Sequence, residues 1–201
     1  MAAGWQSLHL ILALIAVWLA IACAGLAALR SFAVVARLLF PLGALVGLTL
    51  AGVALVALFA APTMLVLPIG LPSLPFHLRL DALSAWFLLV TGAVSGGVSL
   101  FAAGYFRRGE GTPPGLLCFQ YHVFLAAMVL VLLADDAYVF MVMWETMALA
   151  SFFLVTSNHR IPEIRRAGFL YLLVAHVGAV ALLLCFGVLQ ADTGVYTFAN
   201  M

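Results

Sequence analysis

Two ionisable side chains fall where a long apolar stretch leaves them no water. Glu145 is the one charged residue between Tyr138 and Thr156, a run about a membrane thickness long at roughly 1.5 Å per residue. His176 lies inside a second such run, Gly168 to Leu189. A carboxylate at mid-bilayer costs about 2.5–3.5 kcal/mol on insertion scales, and ionisable groups kept there mark ion paths and proton relays. Glu145 lies eight residues in from Ala137 and His176 eight in from Gly168. Each is then about 12 Å from its own surface, and the two are about 6 Å apart along the membrane normal. Segments joined by a short loop are normally neighbours.

Taking such groups out of water raises the proton affinity of a carboxylate and lowers that of an imidazole, so the pair can exchange a proton at modest cost. Glu145 and His176 are therefore the expected proton-transfer residues. Each also has a structural reading. A membrane histidine can serve as a hydrogen-bonding group between helices. A glutamate could do the same, although glutamine would do so at lower cost. His122, near the inner end of the fourth apolar run, is a weaker candidate, and His9, His77 and His159 fall at interfaces or in loops. No phosphate loop, nucleophile elbow, zinc signature or haem motif occurs, so no active site, cofactor or metal of the chain's own is expected. Cys23, Cys118 and Cys185 lack metal-ligand spacing and read as buried small hydrophobes.

The elements that must position Glu145 and His176 follow from composition. Of 201 residues 67% are hydrophobic and 7% charged, against about 25% charged in a soluble domain. The expected class is all-α, a polytopic bundle whose first partner is the lipid bilayer. The net charge of +1 leaves no basic patch for nucleic acid. Six runs can span: Leu8–Leu29, Leu38–Ala61, Ala82–Ala103, Leu116–Leu133, Ala137–Thr156 and Gly168–Leu189. The first is too long for a cleavable signal core and has no basic residue before it, so it reads as a retained span. Gly43/Gly47, Gly92/Gly96 and Ala175/Ala179 are small-residue pairs suited to close helix contact. Arg30 and Arg37, Arg107 and Arg108, and Arg160, Arg165 and Arg166 all fall in odd-numbered loops, against Arg79 alone on the other side. The odd loops are therefore cytoplasmic and both termini lie outside.

The second loop, Pro62 to Leu80, holds four prolines (Pro62, Pro68, Pro72, Pro75) and no helix is compatible with them. Apolar residues alternate at Leu65, Leu67 and Ile69 and again at Phe76, Leu78 and Leu80, as in a small extended hairpin on the outer face. Asp81 precedes the third span and Asp135 and Asp136 the fifth, where all three read as helix caps. Pro162 and Glu163 are placed to begin a helical turn.

The run Met143-Trp-Glu-Thr-Met-Ala-Leu-Ala-Ser-Phe-Phe-Leu-Val155 resembles the fifth-helix signature of antiporter-like subunits of respiratory complexes of the NADH:quinone oxidoreductase type. Leu78-Arg-Leu-Asp-Ala-Leu-Ser-Ala-Trp86, Ala167-Gly-Phe-Leu-Tyr-Leu-Leu-Val-Ala-His-Val-Gly178 and Tyr196-Thr-Phe-Ala199 narrow the likeness to hydrogenase-4 component B and the related formate hydrogenlyase membrane subunit. The resemblance spans most of the chain and is weakest before Phe76.

That resemblance implies a proton-translocating, non-redox membrane subunit without cofactors, in a bacterial inner membrane. It would lie among other membrane and cytoplasm-facing subunits of a hydrogenase or respiratory complex. It also implies that Glu145 interacts with a lysine on a later helix, and that His176 falls on a histidine of the hydrogenase-type motif. In the family, three leading helices precede two inverted five-helix repeats. Residues 1–110 would then hold the leading helices with the proline-rich outer loop, and residues 111–201 the first three helices of a repeat. The chain has no lysine, so the expectation is an N-terminal fragment of a longer subunit or a truncated product. Two other functions compete: a structural membrane anchor, and a subunit of a multi-subunit cation/proton antiporter.

Overall fold

The computed structural model describes residues 2–72, 74–105 and 111–201, the side chains of 2–5 and 192–193 excepted. Arg107 and Arg108 of the third loop, and the side chains of Trp5 and Asp192, lie outside the described residues. Among the described residues six helices are long and apolar enough to cross a membrane. They are α1 (Ala2–Ala27), α2 (Phe32–Ala57), α3 (Ala82–Tyr105), α4 (Pro114–Leu133), α5 (Ala137–Val155) and α6 (Pro162–Thr193). Between α2 and α3 the chain forms strands β1 (Thr63–Leu71) and β2 (Leu74–Leu80).

Helix α2 begins earlier than hydropathy alone suggests, at Phe32, so Arg37 lies within the helix and not in the loop. A π-helical turn occupies Val35–Leu39 just before Pro41. Proline cannot donate to the carbonyl four residues back and its ring crowds that carbonyl, so a widened turn is how the helix passes it. Helix α6 likewise starts at Pro162, which needs no amide donor at a first-turn position. Arg165 and Arg166 are therefore helical. The helix ends at Gly194, whose φ of 68° is the left-handed value glycine adopts freely.

Helix α2 packs on α3, α1 on α4, and α4 on α5. Without a hydrophobic drive between helices in lipid, close approach through small residues holds such a bundle. Gly92 shows how close α2 and α3 come: a Cβ there would meet the Ala51 amide nitrogen at 2.6 Å. Trp18 is fully buried, and its indole N–H donates to the Gly43 carbonyl at 3.3 Å. Cys118 is buried as expected, but Cys23 and Cys185 lie on exposed helix faces, because a one-sided apolar pattern cannot distinguish lipid from protein. Among the described residues α6 makes appreciable helix contact with α5 alone, and only 6% of its spanning window is buried, against 50% for α4.

The proline-rich segment is an antiparallel hairpin pairing Thr63 with Leu80, Leu65 with Leu78 and Leu67 with Phe76. The register shifts between Leu67 and Gly70, around Pro68, which has no N–H to offer the ladder. Leu78 and Leu80 are buried beneath it, whereas Ile69, within the shift, is exposed. The same end of the bundle gathers two more extended segments. Leu78 bridges Ala134, and Asp136 bridges Thr197, so hairpin, α4–α5 junction and C-terminal residues form one cap.

Candidate functional site in the α5–α6 seam

Helices α5 and α6 run antiparallel, and polar side chains meet across their seam at two levels. Glu145 Oε2 lies 3.6 Å from His176 Nε2, with the side chains 34% and 48% exposed. That separation is inside ion-pair range and just beyond a hydrogen bond. His176 Nδ1 is 2.9 Å from the Leu172 carbonyl, one turn earlier. A carbonyl can only accept, so Nδ1 carries a proton, and in the neutral ring Nε2 presents its lone pair toward Glu145. Toward the arginine-rich end, the Ser151 and Tyr171 hydroxyls are hydrogen-bonded, and Gly168 packs against Thr156. Toward the hairpin end, Phe140 meets Phe186 and Phe198 edge-on at ring-centroid distances of 5.7 and 6.1 Å. The carboxylate–imidazole pair thus has aromatic rings on one side and hydroxyls on the other.

The sequence singles out Glu145 and His176 by depth alone, and the fold brings them together. Ser151 and Tyr171 draw no separate attention, since each is ordinary in a membrane helix. The signal is the pairing: 145 with 176 and 151 with 171 keep nearly the same sum, as partners on antiparallel helices must.

His122 is elsewhere. It is fully buried on α4, with Nδ1 2.8 Å from the Cys118 carbonyl and Nε2 without a hydrogen-bond partner. Its ring fills the space left by Gly43, where any Cβ would collide with Nε2. Among the described residues no carboxylate faces it, so it plays no part in the α5–α6 pair.

A second polar group lies at the hairpin end. Asp81 caps α3, its Oδ1 accepting the Ser84 amide at 2.9 Å. Asp136 caps α5, accepting the Val139 amide at 2.6 Å. Asp135 does not cap, contrary to expectation. Its amide donates to the His77 carbonyl and its carbonyl accepts from Phe198, an extended geometry that turns its side chain toward Arg79, 3.7 Å away. Burial raises the Asp135 carboxyl above its ordinary range despite Arg79 nearby. Burial acts in the same direction at Asp81, but there the Ser84 amide and a 2.7 Å contact with Arg79 outweigh it and hold the carboxyl low. The hydrogen bond to Asp81 in turn raises the Arg79 guanidinium. His77, which the sequence gives no role, lies with Nδ1 3.1 Å from Asp136 Oδ2.

Residues 134–201, which contain both seam pairs, match the NADH:quinone oxidoreductase/Mrp antiporter transmembrane family. Hydrogenase-4 component B of Escherichia coli is 35% identical over 75% of this chain and 21% of its own length. Residues 134–201 are therefore antiporter-like in sequence. An uncharacterized Mycobacterium tuberculosis protein is 36% identical over 78% of this chain and 24% of its own length. Among solved structures, the Mrp complex from Dietzia superposes with a TM-score of 0.71 at 26% identity, covering 92% of this chain and 20% of the matched one. The chain therefore spans about a quarter or less of the length of the curated relatives it matches.

Proposed function

We propose that the protein is a proton-translocating membrane subunit of a hydrogenase or NADH:quinone oxidoreductase-type complex, in which Glu145 and His176 exchange a proton across the α5–α6 seam. The observation that supports this most is the 3.6 Å approach of Nε2 to Oε2 while Nδ1 is engaged on Leu172. Nε2 is then the one ring atom free to take a proton from the Glu145 carboxyl. The transfer leaves a carboxylate beside an imidazolium, two charges that stabilise each other where solvent cannot. Closing the gap to hydrogen-bond length requires a movement of well under 1 Å. A cation brought toward Glu145 by a neighbouring segment or subunit favours the carboxylate and drives the proton on to His176. Withdrawal of that cation reverses the step.

On this reading residues 1–110 form the leading helices with the outer hairpin, and residues 111–201 begin an antiporter-like repeat. The arginine-rich ends face the cytoplasm of a bacterial cell, where the inner membrane holds the subunit's neighbours. The test is Glu145→Gln in the complete subunit in its native membranes. Proton movement should fall at least tenfold with the subunit still inserted and assembled, as loss of a coupled acid–base group predicts, roughly. Unchanged proton movement would favour a structural anchor. The likeness to an Mrp complex supports a second reading, cation/proton exchange, which sodium-dependent proton movement in vesicles distinguishes.

A further inference from the structure

Ser151 and Tyr171 contribute to the same site without touching the proton pair. Ser151 Oγ donates to the Ala148 carbonyl at 2.9 Å. A hydroxyl has one proton, so in the contact across the seam Tyr171 donates and Ser151 accepts. This bond lies six residues from Glu145 along α5 and five from His176 along α6, about 9 and 7.5 Å toward the arginine-rich end. It leads onto a backbone carbonyl, not toward Glu145, so it is not a step in proton transfer.

Its geometry gives it another use. At about 100° per residue, Tyr171 and His176 are about 140° apart around α6. Gly168, Leu172, Ala175 and Ala179 lie between them. Gly168 and Ala179 are buried, and Gly168 packs on Thr156 of α5. Glu145 and Ser151 are about 120° apart around α5, with buried Ala148 between them. The two polar contacts therefore close on opposite flanks of a line of mostly small residues, in which Leu172 is the larger side chain. Such a line sets how near two helices come but offers little resistance to rotation of one against the other. Among the described residues α6 packs appreciably on α5 alone of the helices, and the Ser151–Tyr171 bond is a polar restraint that opposes a roll of α6 carrying His176 away from Glu145.

We infer that Ser151 and Tyr171 are positioning residues: their hydrogen bond fixes the rotational setting of α6 that keeps His176 Nε2 within exchange distance of Glu145 Oε2. The inference rests on the proton-transfer reading of that pair for its functional consequence, but not for its geometry. In the complete subunit in its own membranes, Tyr171→Phe and Ser151→Ala should each slow proton movement about three- to tenfold, the scale of one interhelical hydrogen bond in a membrane. Each should shift the pH profile in the same direction. The double variant should be no worse than either single, and Ser151→Thr, which keeps the hydroxyl, should restore the rate. The infrared carboxyl band that disappears in Glu145→Gln provides a readout independent of transport, and it should move in Tyr171→Phe and Ser151→Ala but not in Ser151→Thr. If that band and the pH profile stay where they are in both hydroxyl-deleted variants, the inference is overturned, whatever Glu145→Gln does to transport. If Glu145→Gln leaves transport intact while the band still moves, the positioning role stands and the proton-transfer reading fails. Ser151→Ala, the smaller change, carries the test should Tyr171→Phe not accumulate.

Discussion

Asp136 holds His77 twice: one carboxylate oxygen accepts the His77 backbone amide at 2.9 Å and lies 3.1 Å from its Nδ1. The other oxygen caps α5 through Val139. A single fully buried side chain thus ties the hairpin to the start of the helix that carries Glu145. Tyr196 adds an edge-on ring contact to His77 at 5.6 Å, so the C-terminal residues join the same knot.

Replacing Asp136 should separate its two uses. Asparagine can still cap a helix, so Asp136→Asn should retain most of the stability and lose chiefly the charge facing His77. Asp136→Ala loses the cap, worth about 1 kcal/mol, and also leaves the His77 amide unpaired where burial makes that costly. Thermal unfolding in detergent should rank wild type, Asp136→Asn and Asp136→Ala in that order, and equal melting of the two variants would refute the double role.

The neighbouring acids should respond oppositely to pH. Asp81 is held low in the folded protein, so its contribution is present above the ordinary carboxyl value of 3.8 and is lost as pH falls below that. Asp135 is raised, so its ionised form costs stability and it takes up a proton earlier on acidification. At neutral pH Asp135→Asn should therefore be neutral or mildly stabilising, whereas Asp81→Asn should destabilise. Unfolding midpoints of the two variants followed from pH 7 down to about pH 2 check both signs, Asp135 changing above the ordinary carboxyl value and Asp81 below it.

How much of this is legible in the sequence depends on the range of the interaction. Hydropathy marks six spans because twenty apolar residues in a row have few other uses, and alternation marks the hairpin because a pleated strand shows its two faces in turn. Local rules also find the caps at Asp81 and Asp136. They fail at Asp135, whose neighbours along the chain look like those of a cap but whose backbone is drawn into bridges with His77 and Phe198. His77 and Asp136 are 59 positions apart, and nothing local to either announces the other. Hydropathy misplaces helix starts where arginines intervene, since Arg37, Arg165 and Arg166 end an apolar window without ending a helix. Glu145 and His176 stand out because charge is rare in such segments. Ser151 and Tyr171 do not, because a hydroxyl's importance lies in its partner.

Close helix approach makes a graded prediction. Gly92→Ala would drive a Cβ to within 2.6 Å of the Ala51 amide nitrogen, forcing α2 and α3 apart at a cost of about 1–3 kcal/mol. Gly97, five residues on in the same helix, has nothing within 4 Å of the place a methyl would occupy, so Gly97→Ala should be neutral or gain up to about 1 kcal/mol from helix propensity. Accumulation in membranes and melting in detergent should both separate the pair.

The proton pair is best tested as a pair. If Glu145 and His176 share one transferable proton, removing either partner removes the same step. His176→Gln should then slow proton movement nearly as much as Glu145→Gln, and the double variant should be little worse than the slower single. Residues in direct contact typically show coupling of about 0.5–3 kcal/mol, whereas independent sites add. Should the two substitutions multiply their effects in vesicle measurements of proton uptake, the residues act separately and the 3.6 Å approach is packing alone. Glu145→Asp supplies the geometric control. It keeps the acid but withdraws it by about one methylene, roughly 1.5 Å, so it should retain ionisation while losing much of the rate. A pair acting only as a fastener between α5 and α6 would instead lose melting temperature in parallel with rate across all these variants. A proton relay predicts that rate falls while melting holds.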